Sequence, residues 1–304
     1  MRLVTRSDFD GLVCAMILKE IGLIDKIDFV HPKDVQDGIV ELSENDITTN
    51  LPYDPRVGMC FDHHESELAR NADKDTKDKW IIDGDAKSAA RVVYNYYKDK
   101  YNLGRISEEI MTAVDKGDSA DFTLAEVKNP NGWVLMNFIM DARTGLGRFH
   151  DFTISNYDLM MKLIDFCLEH NIEDVLALPD VKERVDLYFE QQDLFAQQLK
   201  RIAKIEGKCA VLDLRNEKTI FAGNRFYIYA LFPECTYSVH IVNGRNNNTP
   251  VMIGKSIFND NGNADIGAIC LKYGGGGHRN AGTCQLEDGE LDKALPDIIE
   301  ALNV

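Results

Sequence analysis

The 304-residue chain lacks several features that mark membrane and secreted proteins. No apolar run approaches the roughly 20 residues that a membrane-spanning helix needs. The N-terminal MRLVTRSDFDG has acidic residues where a signal peptide would carry its apolar core. Seven cysteines lie scattered with no CxxC pair, which argues against a disulfide framework or a zinc ribbon and favours buried, reduced thiols. We therefore expect a cytoplasmic protein with no membrane partner.

Positive charge is also scarce. The chain has 34 Lys and Arg against 50 Asp and Glu, which gives a formal net charge of −16. Such a surface repels long polyanions, so we expect no duplex DNA partner. A small phosphorylated substrate or a short oligonucleotide can still be bound locally, because a bound metal ion is often the largest charge in a site. The clustered aspartates therefore favour metal-dependent chemistry.

What the chain does contain is an alternation of strand and helix patterns. In the first half these patterns occur at residues 1–5, 10–24, 26–32, 46–50, 57–61 and 86–101. This order predicts an α/β fold with a parallel sheet and helices on both of its faces.

The second half predicts a smaller α/β domain. Residues 180–207 have helical spacing and no glycine until the end, so we predict a connecting helix that packs on a domain, with a partner helix as the alternative. Strand patterns resume after Gly207. We therefore predict two domains, at 1–179 and 208–304, joined by that helix. The sequence does not determine the oligomeric state, and a homodimer is one possibility.

Two aspartates, Asp8 and Asp10, follow the first predicted strand. Carboxylates at i and i+2 share a face of an extended segment, and ligands of open α/β sheets bind at the carboxyl ends of the strands. Two hard oxygen ligands there suit Mg²⁺ or Mn²⁺. The alternative is helix capping, with Asp10 as the N-cap of the helix that follows.

The stretch CFDHHESE places Asp62, His63 and His64 where an apolar strand gives way to a polar segment. Adjacent side chains of a strand point to opposite faces, so both histidines can enter one site only beyond the strand end. Mixed imidazole and carboxylate ligands favour Mn²⁺ or another transition metal over Ca²⁺. A solvated polar turn is the alternative. Three further aspartates lie in 113–122, where solvation is again the alternative to a bound cation.

The segment YGGGGHRNAG (273–282) combines four glycines with His278 and Arg279. It predicts a loop whose backbone approaches an anion closely. It is not a P-loop, because no Lys-Ser/Thr follows, and it is not a dinucleotide fingerprint, because it follows a helix. A flexible turn is the alternative, but the histidine and the arginine favour phosphate binding.

In this order the motifs resemble those of the DHH phosphoesterase superfamily, in its DHHA1 branch. DFDG (8–11) is similar to the first family motif, DHH (62–64) to the naming motif, and GGGGHRNAG (274–282) to the glycine-rich signature of the C-terminal DHHA1 domain. The resemblance covers nearly the whole chain and is strongest to exopolyphosphatase-like members. It implies an N-terminal DHH domain with a metal centre, usually Mn²⁺, and a C-terminal DHHA1 domain that holds the substrate.

The resemblance also implies roles for individual residues. The implied metal ligands are Asp8, Asp10, Asp62, His63 and Asp118. For the last of these, the pattern DSADF favours Asp118 and leaves Asp115 as the alternative. His64 would contact the phosphate that is cleaved. The implied substrate-binding residues are Gly276, Gly277, His278 and Arg279, with Lys255 as a further candidate.

Two positions depart from the family pattern. Arg6 stands where many members have a histidine, and Asn50 ends a strand where members carry an aspartate. Asp46, at the start of that strand, is the alternative for the second position. Arginine stays protonated and cannot ligate a cation, but its guanidinium can supply fixed positive charge to a phosphate.

The catalytic candidates are His64 and Arg6. We hypothesise that the Arg6 guanidinium pairs with Asp8 and replaces one metal ion. A single ion would then bind at Asp10, His63 and Asp118.

The predicted function is metal-dependent hydrolysis of a phosphoester or phosphoanhydride, with one or two Mn²⁺ ions, or Mg²⁺ as the alternative. The substrate would be a polyphosphate, a dinucleotide or the end of an oligonucleotide. The alternative is a non-catalytic nucleotide or polyphosphate binder with a degenerate metal site, which Arg6 and Asn50 favour.

Overall fold

The computed structural model confirms an α/β fold of two units. It describes residues 1–64, 67, 71, 73, 77–149, 151–244, 248–287 and 289–304. One unit comprises Met1–Phe122 and Pro130–Leu187, and the other comprises Thr123–Asn129 and Tyr188–Val304.

The described strands are β1 (Arg2–Thr5), β2 (Lys26–Phe29), β3 (Asp46–Thr49), β4 (Met59–Asp62), β5 (Trp80–Ile82), β6 (Lys204–Glu206), β7 (Cys209–Asp213), β8 (Tyr237–Ile241), β9 (Thr249–Lys255), β10 (Gly276–His278) and β11 (Ala281–Leu286). The described α-helices are α1 (Phe9–Glu20), α2 (Pro32–Gln36), α3 (Ala89–Tyr97), α4 (Glu108–Asp118), α5 (Leu124–Lys128), α6 (Gly132–Met140), α7 (Asn156–Phe166), α8 (Ile172–Ala177), α9 (Pro179–Ile202), α10 (Tyr227–Leu231), α11 (Ile266–Leu271) and α12 (Leu291–Asn303). Among these described residues, no helix is long and apolar enough to cross a membrane.

The first unit is built on a parallel sheet with the strand order β2-β1-β3-β4-β5. The strand β5, which the sequence patterns do not indicate, pairs with β4 at one edge. Helix α1 is buried from Phe9 to Leu18 and packs against α3, α4 and α7. A helix that is apolar on all sides belongs to a core, so its N-terminus is held firmly at the end of β1.

The register of this sheet brings three strand ends to one edge. Val4 of β1 pairs with Thr48 of β3, and Thr49 of β3 pairs with Phe61 of β4. The segments that follow β1, β3 and β4 therefore emerge side by side at the carboxyl edge, where open α/β sheets bind their ligands.

The second unit contains a mixed sheet with the order β10-β11-β9-β8-β7-β6. Its core packs apolar strand residues against α11 and α12. The long helix α9 runs from the first unit into the second, but it ends at Ile202 rather than at 207. Lys204–Glu206 pairs antiparallel with β7 through a turn at Gly207, whose φ of +64° favours glycine.

The glycine-rich segment is not the loop that its composition predicts. Gly276–His278 forms strand β10, which pairs with β11 in the register Gly276↔Thr283. At Gly277 the φ is +150°, and a Cβ atom there would lie 2.3 Å from the carbonyl oxygen of Ala281. The hairpin of β10 and β11 is so close that Gly277 is required by packing, independently of any ligand.

All seven cysteines are buried and free.

Candidate metal centre

The centre begins at the N-terminus of α1. The N-cap is Asp8, whose Oδ1 accepts a hydrogen bond from the Gly11 amide at 3.0 Å. The capping role considered for Asp10 is therefore wrong, because Asp10 lies within the first turn of the helix. The other oxygen of Asp8, Oδ2, lies 3.1 Å from Nε of Arg6. Both oxygens of Asp8 are thus engaged by the protein itself.

The carboxylate of Asp10, a residue of α1, lies at the N-terminus of α3. Its carboxylate is 3 % exposed and accepts hydrogen bonds from the amides of Ala89 and Ala90, at 3.2 and 2.8 Å. These amides belong to the first turn of the helix, where backbone donors lack intrahelical partners and favour negative charge. Burial, followed by the nearby charge of Asp118, raises the pKa of Asp10 well above its usual range.

His63 is oriented by a backbone carbonyl. Its Nδ1 lies 3.2 Å from the carbonyl oxygen of Ala86, which can only accept, so the proton is on Nδ1. Its Nε2 lies 2.8 Å from Oδ2 of Asp118. Burial lowers the pKa of His63, but the hydrogen bond and the charge of Asp118 outweigh burial and raise this pKa to about 9.

Asp10, His63 and Asp118 bring their ligand atoms within 4.8 Å of one another. Within the described part of the chain, no other set of three or more His, Cys, Asp and Glu side chains does so. Two carboxylates and an imidazole, whose ring is fixed by the backbone carbonyl of Ala86, form a donor set that suits a divalent transition ion. These three residues, named here the metal triad, therefore fit a divalent metal ion.

Asp62 is directed towards His64. Its Oδ1 lies 2.6 Å from Nδ1 of His64 and accepts from the His63 amide at 2.8 Å. Its Oδ2 is buried and has no hydrogen-bond partner among the described residues. Asp62 thus fixes the ring of His64 with Nε2 on the opposite side, and it is not a member of the metal triad.

No family model and no curated protein matches the chain. Among solved structures, the chain is similar to the pGpG-specific phosphodiesterase PggH from Vibrio cholerae, with 50% identity, 99% of this chain and 98% of that chain covered, and a TM-score of 0.80. It is also similar to the DHH domain of a member of the s1p family of ribosomal proteins, with 12% identity, 98% and 85% coverage, and a TM-score of 0.57.

The chain belongs to the DHH/DHHA1 phosphoesterase family. A third similar structure, CDC45 from Entamoeba histolytica, shares the fold at 8% identity, with 99% and 94% coverage and a TM-score of 0.50.

Two aspartates of α4 occupy different surroundings in this DHH phosphoesterase. Asp115 accepts hydrogen bonds from Oγ of Ser88 at 2.7 Å and from Nε of Arg91 at 2.8 Å, so it ties α3 to α4. Asp118, the last residue of α4, contacts His63 instead. Asp46 is likewise engaged at the start of β3, where its Oδ1 accepts from Nε of Arg2 at 2.8 Å.

Arg143 carries a positive charge that acts on Asp8, and the sequence motifs do not predict it. It lies in a 3₁₀ helix at Ala142–Thr144, and its Nε donates to Oδ1 of Asp141 at 2.7 Å. Burial raises the pKa of Asp8, and the positive charges of Arg6 and Arg143 oppose that rise. The surrounding sequence DARTGLG contains no motif, so only the fold identifies this arginine.

The candidate substrate residues of the second unit lie at one end of its sheet. Lys255 ends β9 and forms an ion pair with Asp260. His278 and Arg279 are exposed where β10 turns towards β11. A Cβ atom at Gly276 would meet nothing within 4 Å, so the backbone there is accessible to a ligand. Their role in substrate binding stays a prediction.

Proposed function

We propose that this protein is a metal-dependent phosphodiesterase that hydrolyses the linear dinucleotide pGpG. The observation that carries the proposal is the 50% identity, over 99% of this chain, to a protein described as a pGpG-specific phosphodiesterase. The metal triad supplies the chemistry that such a reaction needs. Inorganic polyphosphate and longer oligonucleotides are weaker candidates, since nothing in the similar proteins favours the first and the −16 charge disfavours the second.

Asp10, His63 and Asp118 would bind the ion, for which we propose Mn²⁺, with Mg²⁺ as the alternative. Such an ion, when bound, polarises a phosphoryl oxygen and lowers the pKa of water. Hydrogen bonds within the protein fix the orientation of two of these ligands. The carbonyl of Ala86 fixes the histidine tautomer, and two amides of α3 hold the carboxylate of Asp10.

His64 and the arginines act on the phosphate in this proposal. Because Nδ1 of His64 is directed to Asp62, its Nε2 faces away from that carboxylate. In the imidazolium form of His64, Nε2 would donate to a phosphate oxygen and offset the charge that develops during cleavage. Arg6 and Arg143 add fixed positive charge near Asp8. For the second unit we propose that the Gly276 and Gly277 backbone, His278, Arg279 and Lys255 bind substrate phosphate.

The alternative function is a non-catalytic nucleotide binder. The ion pair between Arg6 and Asp8 favours it, because this pair removes one carboxylate from metal binding.

Hydrolysis assays with added Mn²⁺ distinguish the two functions. The substrates are pGpG, a cyclic dinucleotide, inorganic polyphosphate and a short RNA, each followed by chromatography of the products. We expect GMP from pGpG, much slower turnover of the others, and loss of turnover in His63→Ala. Polyphosphate as the preferred substrate would contradict the proposal. No turnover, together with failure to bind Mn²⁺, would favour the non-catalytic binder.

A further inference from the structure

Asn50 combines two costly features. It has a φ of +54°, a left-handed conformation that, among described non-glycine residues, only Ala120 shares. Its side chain is 2 % exposed, and neither Oδ1 nor Nδ2 has a hydrogen-bond partner in the described part of the chain. Strained backbone and unpaired buried amides both reduce folding stability, and such features concentrate at ligand sites. The carboxamide therefore has its hydrogen-bonding groups available for a partner other than the described residues, such as a ligand.

The position of Asn50 in the sheet identifies its neighbours. It follows β3, and its backbone amide donates to the carbonyl of Phe61 in β4 at 3.1 Å. On the other side, β3 pairs with β1, which continues into Arg6. Asn50 thus lies at the sheet edge between the segment that carries Arg6 and the segment that carries Asp62, whose Oδ2 is also unpartnered among the described residues.

The groups on this side of the centre leave no carboxylate oxygen of Asp8 free for a second cation. The two oxygens of Asp8 are engaged by Gly11 and by Arg6. Arg143 adds a second guanidinium that acts on Asp8. A metal ion that used Asp8 as a ligand would have to displace the guanidinium of Arg6 from Oδ2. A phosphoryl oxygen, in contrast, can accept hydrogen bonds from a guanidinium and from Nδ2 of a carboxamide.

We propose that Arg6 and Asn50 form an anion subsite for a phosphoryl oxygen of the substrate, and that the centre takes one divalent ion, on the metal triad, rather than two. The inference rests on the proposed function in that the anion is the phosphate of the substrate. It makes Arg6 a substrate-binding group instead of the remnant of a lost metal site.

The first test counts the metal ions. Metal-free full-length protein is titrated with Mn²⁺ by calorimetry and by electron paramagnetic resonance. We expect one ion per chain and no signal from a coupled manganese pair. The double variant Arg6→His, Asn50→Asp supplies two ligands in place of the anion subsite, and we expect it to bind a second ion. Two ions per wild-type chain would overturn the proposal.

The second test measures anion binding without turnover. Binding of pGpG and of inorganic phosphate is measured by calorimetry in the presence of a chelator. Asn50→Gly keeps the left-handed backbone and removes the carboxamide, so we expect at least tenfold weaker binding of pGpG and no decrease in Tm. Ala120→Gly is the matched control, because it changes the other left-handed residue, and its affinity should equal that of the wild type.

Unchanged affinity in Asn50→Gly, with a large decrease in Tm, would show a structural role for the amide and overturn the proposal. Failure of the proposed function is recognised separately. A wild-type chain that does not hydrolyse pGpG, yet binds one Mn²⁺ and loses phosphate binding in Asn50→Gly, supports the anion subsite and contradicts only the choice of substrate.

Discussion

The two units differ in the charge that they bury. The first unit buries the ionisable residues Asp10, Asp46, Asp62, Glu67 and Arg184. The buried polar residues described in the second unit are uncharged: Gln191, Gln198, Asn224, Thr236, Ser238 and Ser256. Buried charge reduces stability unless it is paired, so its uneven distribution needs a cause.

Pairing within the protein explains part of this difference. Asp46 pairs with Arg2, and Arg184 donates to carbonyls and to Glu183. Asp10 instead lies at the carboxyl edge of the sheet, where the charges of Asp118 and Asp8 act on it. Asp62, at the same edge, contacts Nδ1 of His64. Buried carboxylates therefore mark the unit for which we propose a bound cation, whereas the groups that we propose for anion binding in the second unit are backbone and exposed basic side chains.

The largest expected effect is a loss of activity that distinguishes two aspartates of α4, Asp118 and Asp115. Asp118→Asn removes a carboxylate of the metal triad, and we expect kcat/KM for pGpG to decrease by about 10³-fold or more. Asp115→Asn is the matched control, because its carboxylate bonds Ser88 and Arg91. We expect it to reduce the free energy of unfolding by about 1–2 kcal/mol, with kcat changed only a few-fold. Equal loss of activity in both variants would contradict this separation.

Asp62→Asn tests whether Asp62 orients His64 or binds the metal. We expect kcat to decrease by about 10²-fold, with KM and Mn²⁺ affinity little changed, because the tautomer and orientation of His64 are lost. The pH dependence of kcat should change as well, and Asp62→Glu should restore part of the activity. Loss of Mn²⁺ binding in Asp62→Asn would instead make Asp62 a metal ligand.

Two adjacent glycines test the close hairpin of the second unit. Gly277→Ala introduces a Cβ where φ is +150° and where the Ala281 carbonyl oxygen would be 2.3 Å away. We therefore expect the free energy of unfolding to decrease by about 3 kcal/mol. Gly276→Ala meets open space, and we expect a change within about 0.5 kcal/mol. Thermal unfolding measures both. Weaker pGpG binding in Gly276→Ala at unchanged Tm would support a backbone contact with phosphate there.

The smallest expected effect is an acid sensitivity of the second unit that comes from a histidine. Burial lowers the pKa of His240 from 6.5 to about 4. Above pH 6.5 the residue is neutral in both states. Between pH 6.5 and 4 the unfolded chain binds a proton that the folded chain does not, so stability decreases as the pH falls.

Between pH 6.5 and 4 we expect the free energy of unfolding to decrease by about 2 kcal/mol because of this histidine. The variant His240→Gln should not show this decrease. Hydrogen exchange of the β8 amides at pH 7.5, 6 and 4.5 measures it. An identical pH dependence in wild type and variant would contradict the assignment to His240.

Much of the fold could be predicted from local patterns. Local residue patterns predicted strands at β1, β3, β4 and β7, because strand and helix periodicities are properties of neighbouring residues. The helical spacing of 180–207 predicts a helix at Lys204–Glu206, but this segment forms a strand, because it pairs with β7 across the turn at Gly207. The glycine run predicts a loop, whereas Gly276–His278 forms a strand because it pairs with β11.

The sequence by itself determined which chemical groups are available and in what order. Its aspartates, its paired histidines and its glycine-rich segment identify the family, because motif order is a property of the chain. Only the tertiary structure decided how these groups divide their roles. The parallel register and the packing of α3 and α4 bring Asp118 to His63, assign Asp115 to Ser88 and Arg91, and place Arg143 near Asp8. The physical reason is that a carboxylate acquires its role from its partners, and those partners are distant in sequence.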